Sequence, residues 1–224
     1  MRNGATMPQE ATSTMDSRSA KPWFFDTWSR FYDEAVIQNL VYRPVHDAVV
    51  ETLAPRRPTN ALDLGCGTGQ LTVRLKRDLG IEKVTGADFS AGMLAQAAER
   101  RRDIHWVRAS ASALPFADET FDAVTSTEAF HWFPDQPLAL RECRRVLKPG
   151  GTLAVALVNP RAEWLGEAAH ALSTLIGQPF YWPTRERMRA MLEDAGFRVD
   201  RQRRILRLAG LVLFPGVLSV AVRD

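Results

Sequence analysis

A glycine-rich loop, set between a predicted strand and a predicted helix, is the feature that most constrains the fold of this chain. The apolar run Ala61–Leu64 is typical of a buried parallel strand, and glycines follow at every second position over Gly65–Gly69. Leucines then recur every four residues over Leu71–Leu79, before Gly80, which predicts a helix with one apolar face and a glycine at its end. Glycines in such a loop let the backbone bend sharply and let a ligand approach main-chain N–H groups.

The rest of the chain repeats this alternation of strands and helices. Strands that alternate with helices predict the α/β class, with a parallel sheet covered on both faces. The further predicted strands are Lys83–Ala87, Ile104–Arg108, Phe121–Ser126, Thr152–Val158 and two more within Phe197–Val222.

Capping residues mark several of the helices between these strands. Ser90 is placed to cap one helix, and Asp135 with Pro137 opens another, which Pro149-Gly150-Gly151 closes. A last helix runs from Thr184 to Gly196. An extra helix after the fifth strand is predicted from the apolar stripe Leu165, Ala168, Leu172 and Leu175.

Length and composition indicate one globular domain. Residues 1–20 are rich in serine and threonine, so we expect a disordered tail before a single domain at 21–224. The longest apolar run is too short to span a membrane and the N-terminus lacks the apolar core of a signal peptide, which leads us to expect a cytoplasmic protein. Two cysteines and no cluster of ligands at metal spacing predict that no metal is bound.

Two acidic residues at strand ends narrow the ligand that the loop would bind. The dinucleotide fingerprint is G-x-G-x-x-G, whereas this loop reads G-x-G-x-G and is followed by Gln70. Asp63, two residues before the first glycine, would repel a pyrophosphate and attract an ammonium group, which argues against a nicotinamide dinucleotide. Asp88 ends the second strand 25 residues later, where a carboxylate accepts hydrogen bonds from ribose hydroxyls. Phe89 and Met93 could sandwich an adenine, although Met93 fits equally well as a core residue of a helix face.

Six runs of sequence occur in the order typical of one enzyme family. They are Ala61–Gly69, Val84–Ser90, Ala113–Phe116, Phe121–Val124, His131–Phe133 and Arg145–Gly151. Together they span roughly residues 58–158 and resemble the class I S-adenosylmethionine-dependent methyltransferases, in the small-molecule branch related to ubiquinone and menaquinone methyltransferases. The resemblance implies a Rossmann-like, doubly wound sheet of seven strands, mostly parallel with an antiparallel last strand. It also implies S-adenosylmethionine as the cofactor and a helical lid from residues 21–55 and 160–183.

The resemblance also assigns cofactor contacts to particular residues. Asp63 would anchor the loop near the methionine amino group, and Asp88 would hold the ribose. The other expected contacts are Gly65, Cys66 and Gly67 under the cofactor, Phe89 and Met93 beside the adenine, Ser110 and Ala111 at the adenine edge, and Thr127 at the methionine portion. Ser110 departs from the family, which often has an acid there, and a hydroxyl is a poorer acceptor for the adenine amine than a carboxylate.

Methyl transfer attacks an activated sulfonium methyl group in line, so a general base is optional. His131 is the candidate base, since the resemblance puts it in the loop after the fourth strand. The alternative is that His131 only shapes the pocket wall. Glu128 and His46 are weaker candidates, and His105 and His170 are expected to be surface residues.

The expected acceptor is a small apolar or aromatic molecule, methylated at oxygen. Five of the six tryptophans fall in the lid segments or beside His131, although such side chains could also simply attach the lid to the core. Arginine clusters at 100–102 and 198–207 raise the alternative of an RNA methyltransferase, but the net charge is only +3 and we expect a solvated face and no nucleic-acid partner. Two further candidate classes are a catalytically silent cofactor-binding regulator and an NAD-dependent dehydrogenase.

Overall fold

The structure is a computed structural model that describes residues 42–205, except 176 and 178, and residues 216–224. Strands and helices alternate along this part of the chain, as the sequence predicts. The strands are β1 (Asn60–Leu64), β2 (Lys83–Asp88), β3 (His105–Arg108), β4 (Phe121–Thr127), β5 (Leu147–Val158), β6 (Phe197–Ile205) and β7 (Gly216–Arg223). The α-helices are α1 (Arg43–Leu53), α2 (Gln70–Leu79), α3 (Ala91–Arg100), α4 (Gln136–Val146), α5 (Glu163–Leu175) and α6 (Arg185–Asp194).

The strands form one sheet in the order β3-β2-β1-β4-β5-β7-β6. Neighbouring strands from β3 to β5 pair in parallel, whereas β7 is antiparallel to both β5 and β6. This confirms the predicted seven-stranded sheet, mostly parallel with an antiparallel last strand. The strand order reverses between β1 and β4, and in open α/β sheets ligands bind at the carboxyl ends of the strands at such a switch point.

Helices cover both faces of the sheet, because side chains alternate between the faces along each strand. On one face, Val49 of α1 and Leu75 of α2 pack against small strand residues such as Ala123. On the other face, Leu140 of α4 and Met188 of α6 belong to a core with larger strand residues. The first face therefore lets two helices lie close to β1 and β4, beside the switch point.

Side-chain caps fix the starts of three helices: Ser90 and Asp135 were predicted in this role, whereas Thr184 was predicted only as the start of a helix. The Ser90 hydroxyl accepts a hydrogen bond from Met93 N at 3.1 Å, and Asp135 and Thr184 cap α4 and α6 in the same way. Each bond satisfies an N–H group that the first helical turn leaves without an internal partner. Gly80 ends α2 in the left-handed conformation, at φ 64°.

The start of β5 differs from the prediction. The strand begins at Leu147, directly after α4, so Pro149-Gly150-Gly151 lies within β5 and does not form a separate turn. The reason is pairing at long range: Leu147 pairs with Phe121 of β4, and the register shifts before the next paired residue.

The orientation of α5 also differs from what an apolar stripe suggests. The helix is present, but Leu172 and Leu175 are 65% and 84% exposed, and its buried positions are Gly166 and Ser173. A Cβ built on Gly166 would lie 2.7 Å from the Trp182 carbonyl oxygen, so a glycine is needed for this close approach. Periodicity thus identified the helix correctly but not its buried side.

Some of the predicted features lie outside the described residues. These features are the tail at 1–20 and the first part of the lid, residues 21–41. The described helices include none with both the length and the apolar composition that a membrane crossing requires. In the same described part, no three histidine, cysteine or acidic side chains come together as metal ligands.

Candidate functional site

A cleft opens at the carboxyl ends of β1 and β4, beside the first turns of α1 and α2. It encloses about 280 Å³, part of it open to solvent. Of the predicted cofactor contacts, Gly65, Cys66 and Thr127 line this cleft. Its other lining residues are Tyr42, His46, Thr68, Gln70 and Leu71.

The glycine loop is fastened to β2 by main-chain hydrogen bonds. Gly65 N and Cys66 N both donate to Ala87 O, at 2.8 and 3.1 Å. Gly67 N donates to the Asp88 carboxylate at 2.9 Å. These bonds fix the path of the loop across the carboxyl ends of β1 and β2.

The glycines of the loop are needed for two different reasons. A Cβ built on Gly65, whose φ is 71°, would lie 2.3 Å from the Cβ of Ala129, and one on Gly69 would lie 2.4 Å from the Trp106 ring. At Gly67, in contrast, the nearest described neighbour of such a Cβ is the Met93 sulfur, at 4.0 Å. Gly65 and Gly69 are thus required by packing, whereas Gly67 borders open space that a ligand could fill, as a cofactor under which the backbone passes would need.

Asp63 is fixed below the cleft by hydroxyl groups. The alternation along β1 turns its side chain towards α2, where Thr72 Oγ1 donates to one carboxylate oxygen at 2.6 Å. Thr125 Oγ1, from the facing position of β4, donates to the other oxygen at 2.9 Å. The side chain is 1% exposed, and burial, opposed by the two hydroxyl bonds, raises the pKa of Asp63 to about 6.

Asp88 joins the glycine loop to the start of α3. One carboxylate oxygen accepts from Gly67 N and the other from Ser90 N, both at 2.9 Å. The residue is buried at the end of β2, where the predicted ribose contact requires a carboxylate. The sequence did not predict that Asp88 also holds the glycine loop in place.

None of the residues predicted to surround the adenine is among those that line the cleft. Met93 is buried beside Gly67 in the first turn of α3. Phe89 O accepts from Arg108 Nε at 3.1 Å, so the chain after β2 is tied to the end of β3. Ser110 is exposed and its hydroxyl accepts from Ser112 N at 3.3 Å, whereas Ala111 is buried. Their contacts with an adenine stay predictions.

The loop after β4 carries a backbone conformation that L-residues rarely adopt. Glu128 has φ 52°, and its N–H donates to Ala156 O at 2.8 Å. Thr127 before it lines the cleft, and Ala129 after it packs on Gly65. Strained residues of this kind cluster at functional sites, where the surrounding structure holds them in place.

His131, the predicted base, lies in a cluster of aromatic rings and is not among the residues that line the cleft. It belongs to a 3₁₀ turn, Phe130–Trp132, and is 7% exposed. Its ring centroid is 5.1 Å from Trp132, 5.9 Å from Phe180 and 5.7 Å from Trp182. Its carbonyl accepts from Tyr181 N at 2.9 Å, so the 180–182 segment is attached across the turn.

His46 lines the cleft, although from the sequence it is only a weaker candidate base. It follows Tyr42 by one helical turn, and their ring centroids are 6.4 Å apart. Burial, together with the charge of Arg74, lowers the pKa of His46 to about 4, opposed in part by Asp47. The spacing of four between Tyr42 and His46 was the signal available in the sequence, since such residues share a helix face.

Both histidines expected at the surface are exposed. His105 begins β3 and is exposed, as expected. His170 is exposed on α5, but its Nδ1 lies 2.8 Å from Phe180 O and its ring packs on Tyr181. It therefore helps to hold the 180–182 segment and is more than an ordinary surface residue.

Comparisons with known proteins identify the family to which this chain belongs. A family model described as a methyltransferase domain matches residues 62–155. Demethylmenaquinone methyltransferase of Staphylococcus aureus is 30% identical over 201 residues, which are 77% of this chain and 83% of the relative. Malonyl-[acyl-carrier protein] O-methyltransferase of Pseudescherichia vulneris is 43% identical over 108 residues, 48% of this chain. That match covers 42% of the relative, so this chain spans less than half the length of the malonyl enzyme.

Solved structures share the fold over nearly the whole chain. One is a chain from the complex between the Haloferax volcanii Trm112 methyltransferase activator and a methyltransferase. It has a TM-score of 0.72 and 26% identity, over 89% of this chain and 97% of that chain.

Proposed function

We propose, since this chain belongs to the class I S-adenosylmethionine-dependent methyltransferases of the ubiquinone and menaquinone type, that it methylates a small apolar or aromatic molecule at oxygen. The observation that carries the proposal is the pair formed by Gly67 and Asp88. The carboxylate of Asp88 holds the loop at Gly67, the loop glycine beside which the described residues leave open space. A nucleoside cofactor needs both a carboxylate for its ribose and a backbone that it can approach closely.

The residues present fit S-adenosylmethionine. Asp88 would accept from the ribose hydroxyls, Met93 would flank the adenine, and Thr127 would lie at the methionine portion. Asp63 supplies a negative charge below the loop, which favours an ammonium group over a pyrophosphate. When bound, the cofactor supplies a methyl group on a positively charged sulfur.

The chain's own contribution to the rate is mainly alignment. Holding a nucleophile in line with the methyl group can supply up to about 7–11 kcal/mol of the barrier. His131 would take the proton of a hydroxyl acceptor, which would add about 10²–10⁴-fold. Its place in the turn that follows β4, whose last residue Thr127 lines the cleft, supports this role, and the alternative is that it forms only a wall of the acceptor pocket.

Aromatic side chains around His131 favour an apolar acceptor. Trp132 and Phe180 pack edge to face, with their ring centroids 5.2 Å apart. The ring centroids of Phe180 and Trp182 are 4.6 Å apart. Three hydrogen bonds hold this segment: Gln136 donates to Tyr181 O at 2.9 Å, Asn159 donates to Pro183 O at 2.7 Å, and Tyr181 N donates to His131 O. A wall of fixed rings gains free energy by burying apolar surface and offers few polar groups to a hydrophilic acceptor.

The arginine clusters support a small-molecule acceptor over RNA. Several arginines of β6 and of the 100–102 cluster have partners within the protein; the pairs are Arg198 with Asp224, Arg203 with Glu51, and Arg101 with Asp103. An arginine already paired with a carboxylate contributes less to phosphate binding than an unpaired one, because the pair is electrically neutral.

The test is methyl transfer from isotope-labelled S-adenosylmethionine to a panel of acceptors. The panel contains phenols, quinone precursors, polyketides, lipid-like acids, polar alcohols and transfer RNA. We expect transfer to apolar or aromatic acceptors. Transfer only to polar acceptors or RNA would contradict the acceptor class, transfer to none would indicate a silent regulator, and absence of affinity for the cofactor would overturn the proposal.

A further inference from the structure

The N–H groups of the glycine loop are already engaged within the protein. Gly65 N and Cys66 N donate to Ala87 O, and Gly67 N donates to Asp88. Gly69 N donates to Cys66 O at 2.9 Å. The N–H groups at these four positions therefore point to acceptors within the protein and not to an anionic group in the cleft.

The methionine portion of the cofactor carries such an anionic group, a carboxylate. In the described part of the chain, neither lysine nor arginine lines the cleft. The charge of Arg74 acts on His46 from α2, but the Arg74 guanidinium pairs with Asp47 at 2.8 Å and with Asp78 at 2.9 Å. Among the described residues, the side-chain donors available to a carboxylate are therefore the polar residues that line the cleft.

His46 is suited to this task by its position and its protonation. It lies in the same cleft as Gly65 and Thr127, on the side formed by α1. With its pKa lowered to about 4, the imidazole is neutral at pH 7 and has one N–H donor. Its side chain is held in the core face of α1, where Val45 and Val49 are buried, so little rotamer freedom is lost on binding.

We infer that His46 is a positioning residue that donates a hydrogen bond to the carboxylate of the cofactor's methionine portion. This assignment rests on the proposed function and names a residue that would hold the methionine end of the cofactor. It differs from the base role considered for His46 from the sequence, because the imidazole gives a hydrogen bond to the cofactor and takes no proton from the acceptor.

The experiment measures the binding of two ligands by calorimetry. S-adenosylhomocysteine has the carboxylate, and its decarboxylated analogue keeps the adenosine, the sulfur and the ammonium group but lacks the carboxylate. The variant His46→Phe keeps a planar ring and removes the donor, His46→Leu removes it with a different shape, and His46→Gln retains an N–H. Glu51→Gln, on the exposed side of α1, is the matched control.

We expect His46→Phe and His46→Leu to bind S-adenosylhomocysteine about 10- to 100-fold more weakly, the range of a hydrogen bond to a charged group. Both variants should bind the decarboxylated analogue as tightly as the unmodified protein does. His46→Gln should recover part of the loss, and Glu51→Gln should change neither affinity.

Equal weakening of both ligands would overturn the inference in favour of a packing role, and so would unchanged affinity for S-adenosylhomocysteine. If the unmodified protein bound neither ligand, the proposed function itself would fail. Binding by the unmodified protein with no difference among the variants would refute the role of His46 alone.

Discussion

Thr125 lies directly opposite Asp63 in the β1–β4 ladder, and its hydroxyl donates to the Asp63 carboxylate at 2.9 Å. The carboxylate is thus satisfied from the neighbouring strand as well as from Thr72 of α2. This relationship links the first acidic residue of the glycine motif to β4, the strand whose end leads to Thr127 in the cleft.

Replacing Thr125 by valine removes a donor from a buried carboxylate while keeping the shape of the side chain. We expect Thr125→Val to lower the free energy of unfolding at pH 7 by about 1–3 kcal/mol, measured by urea denaturation. Thr152→Val makes the same change in the buried part of β5, away from the carboxylate. A similar loss in both variants would show that the hydrogen bond to Asp63 is not the cause.

The raised pKa of Asp63 makes a prediction about pH. The folded protein binds this proton more tightly than the unfolded chain, so the stability that the protonated form contributes is present below pH 4 and is lost as the pH rises to about 6. We expect Asp63→Asn to be more stable than the unmodified protein at pH 8 by about 2–3 kcal/mol, and the gain to vanish near pH 4. Denaturation at several pH values measures the free energy of unfolding of each protein. His46 titrates in the opposite sense in both proteins, so its contribution cancels when one free energy is subtracted from the other. A gain that is independent of pH would contradict the assignment.

Removal of the Asp88 carboxylate should weaken cofactor binding. We expect Asp88→Ala to bind S-adenosylhomocysteine at least about tenfold more weakly by calorimetry, the loss expected for a hydrogen bond to a charged group. Asp103→Ala removes an exposed carboxylate that pairs with Arg101 and serves as the control. An unchanged affinity in Asp88→Ala would refute the ribose contact.

Alanine at Gly65 and at Gly67 should have different consequences. Gly65→Ala places a methyl group 2.3 Å from the Cβ of Ala129, so we expect a loss of unfolding free energy of more than about 1–3 kcal/mol. Gly67→Ala adds a methyl group towards open space, at a backbone φ of 53°, so we expect a smaller loss of stability and a clear loss of cofactor affinity. Thermal unfolding and calorimetry measure the two effects, and equal behaviour of the variants would count against the division of the loop into packing and ligand-facing glycines.

A base role for His131 predicts a change in rate without a change in cofactor binding. We expect His131→Asn to lower kcat about 10²-fold or more with a hydroxyl acceptor, while the affinity for S-adenosylhomocysteine stays within about twofold. Trp132→Phe keeps an aromatic ring in the same cluster and serves as the control. A His131→Asn enzyme that retains its kcat but has a raised acceptor KM would indicate a pocket wall.

The sequence predicted well those features that depend on neighbouring residues. The strand before Gly65, the cap at Ser90 and the glycine end of α2 follow from local patterns of burial, capping and backbone conformation, and all three are present. The family resemblance carried by the ordered motifs extended these local patterns to a seven-stranded sheet, mostly parallel with an antiparallel last strand.

Features that depend on distant contacts could not be read from the sequence. The apolar stripe of α5 predicted a helix, but the approach of Gly166 to Trp182 turns that stripe to solvent. His46 entered the cleft because α1 crosses next to the glycine loop, a placement that periodicity alone does not define. In the same way, the contact of Gly65 with Ala129 joins residues 64 positions apart in the chain.

The contact between Gly65 and Ala129 limits how this enzyme can be engineered to methylate new acceptors. The obvious library would randomise the stretch after β4, from Glu128 to Phe133, because it leads into the aromatic rings. Position 129, however, abuts Gly65, so a bulky replacement there would push on the loop that we propose holds the cofactor. A productive library should hold alanine at 129 and vary the positions around it.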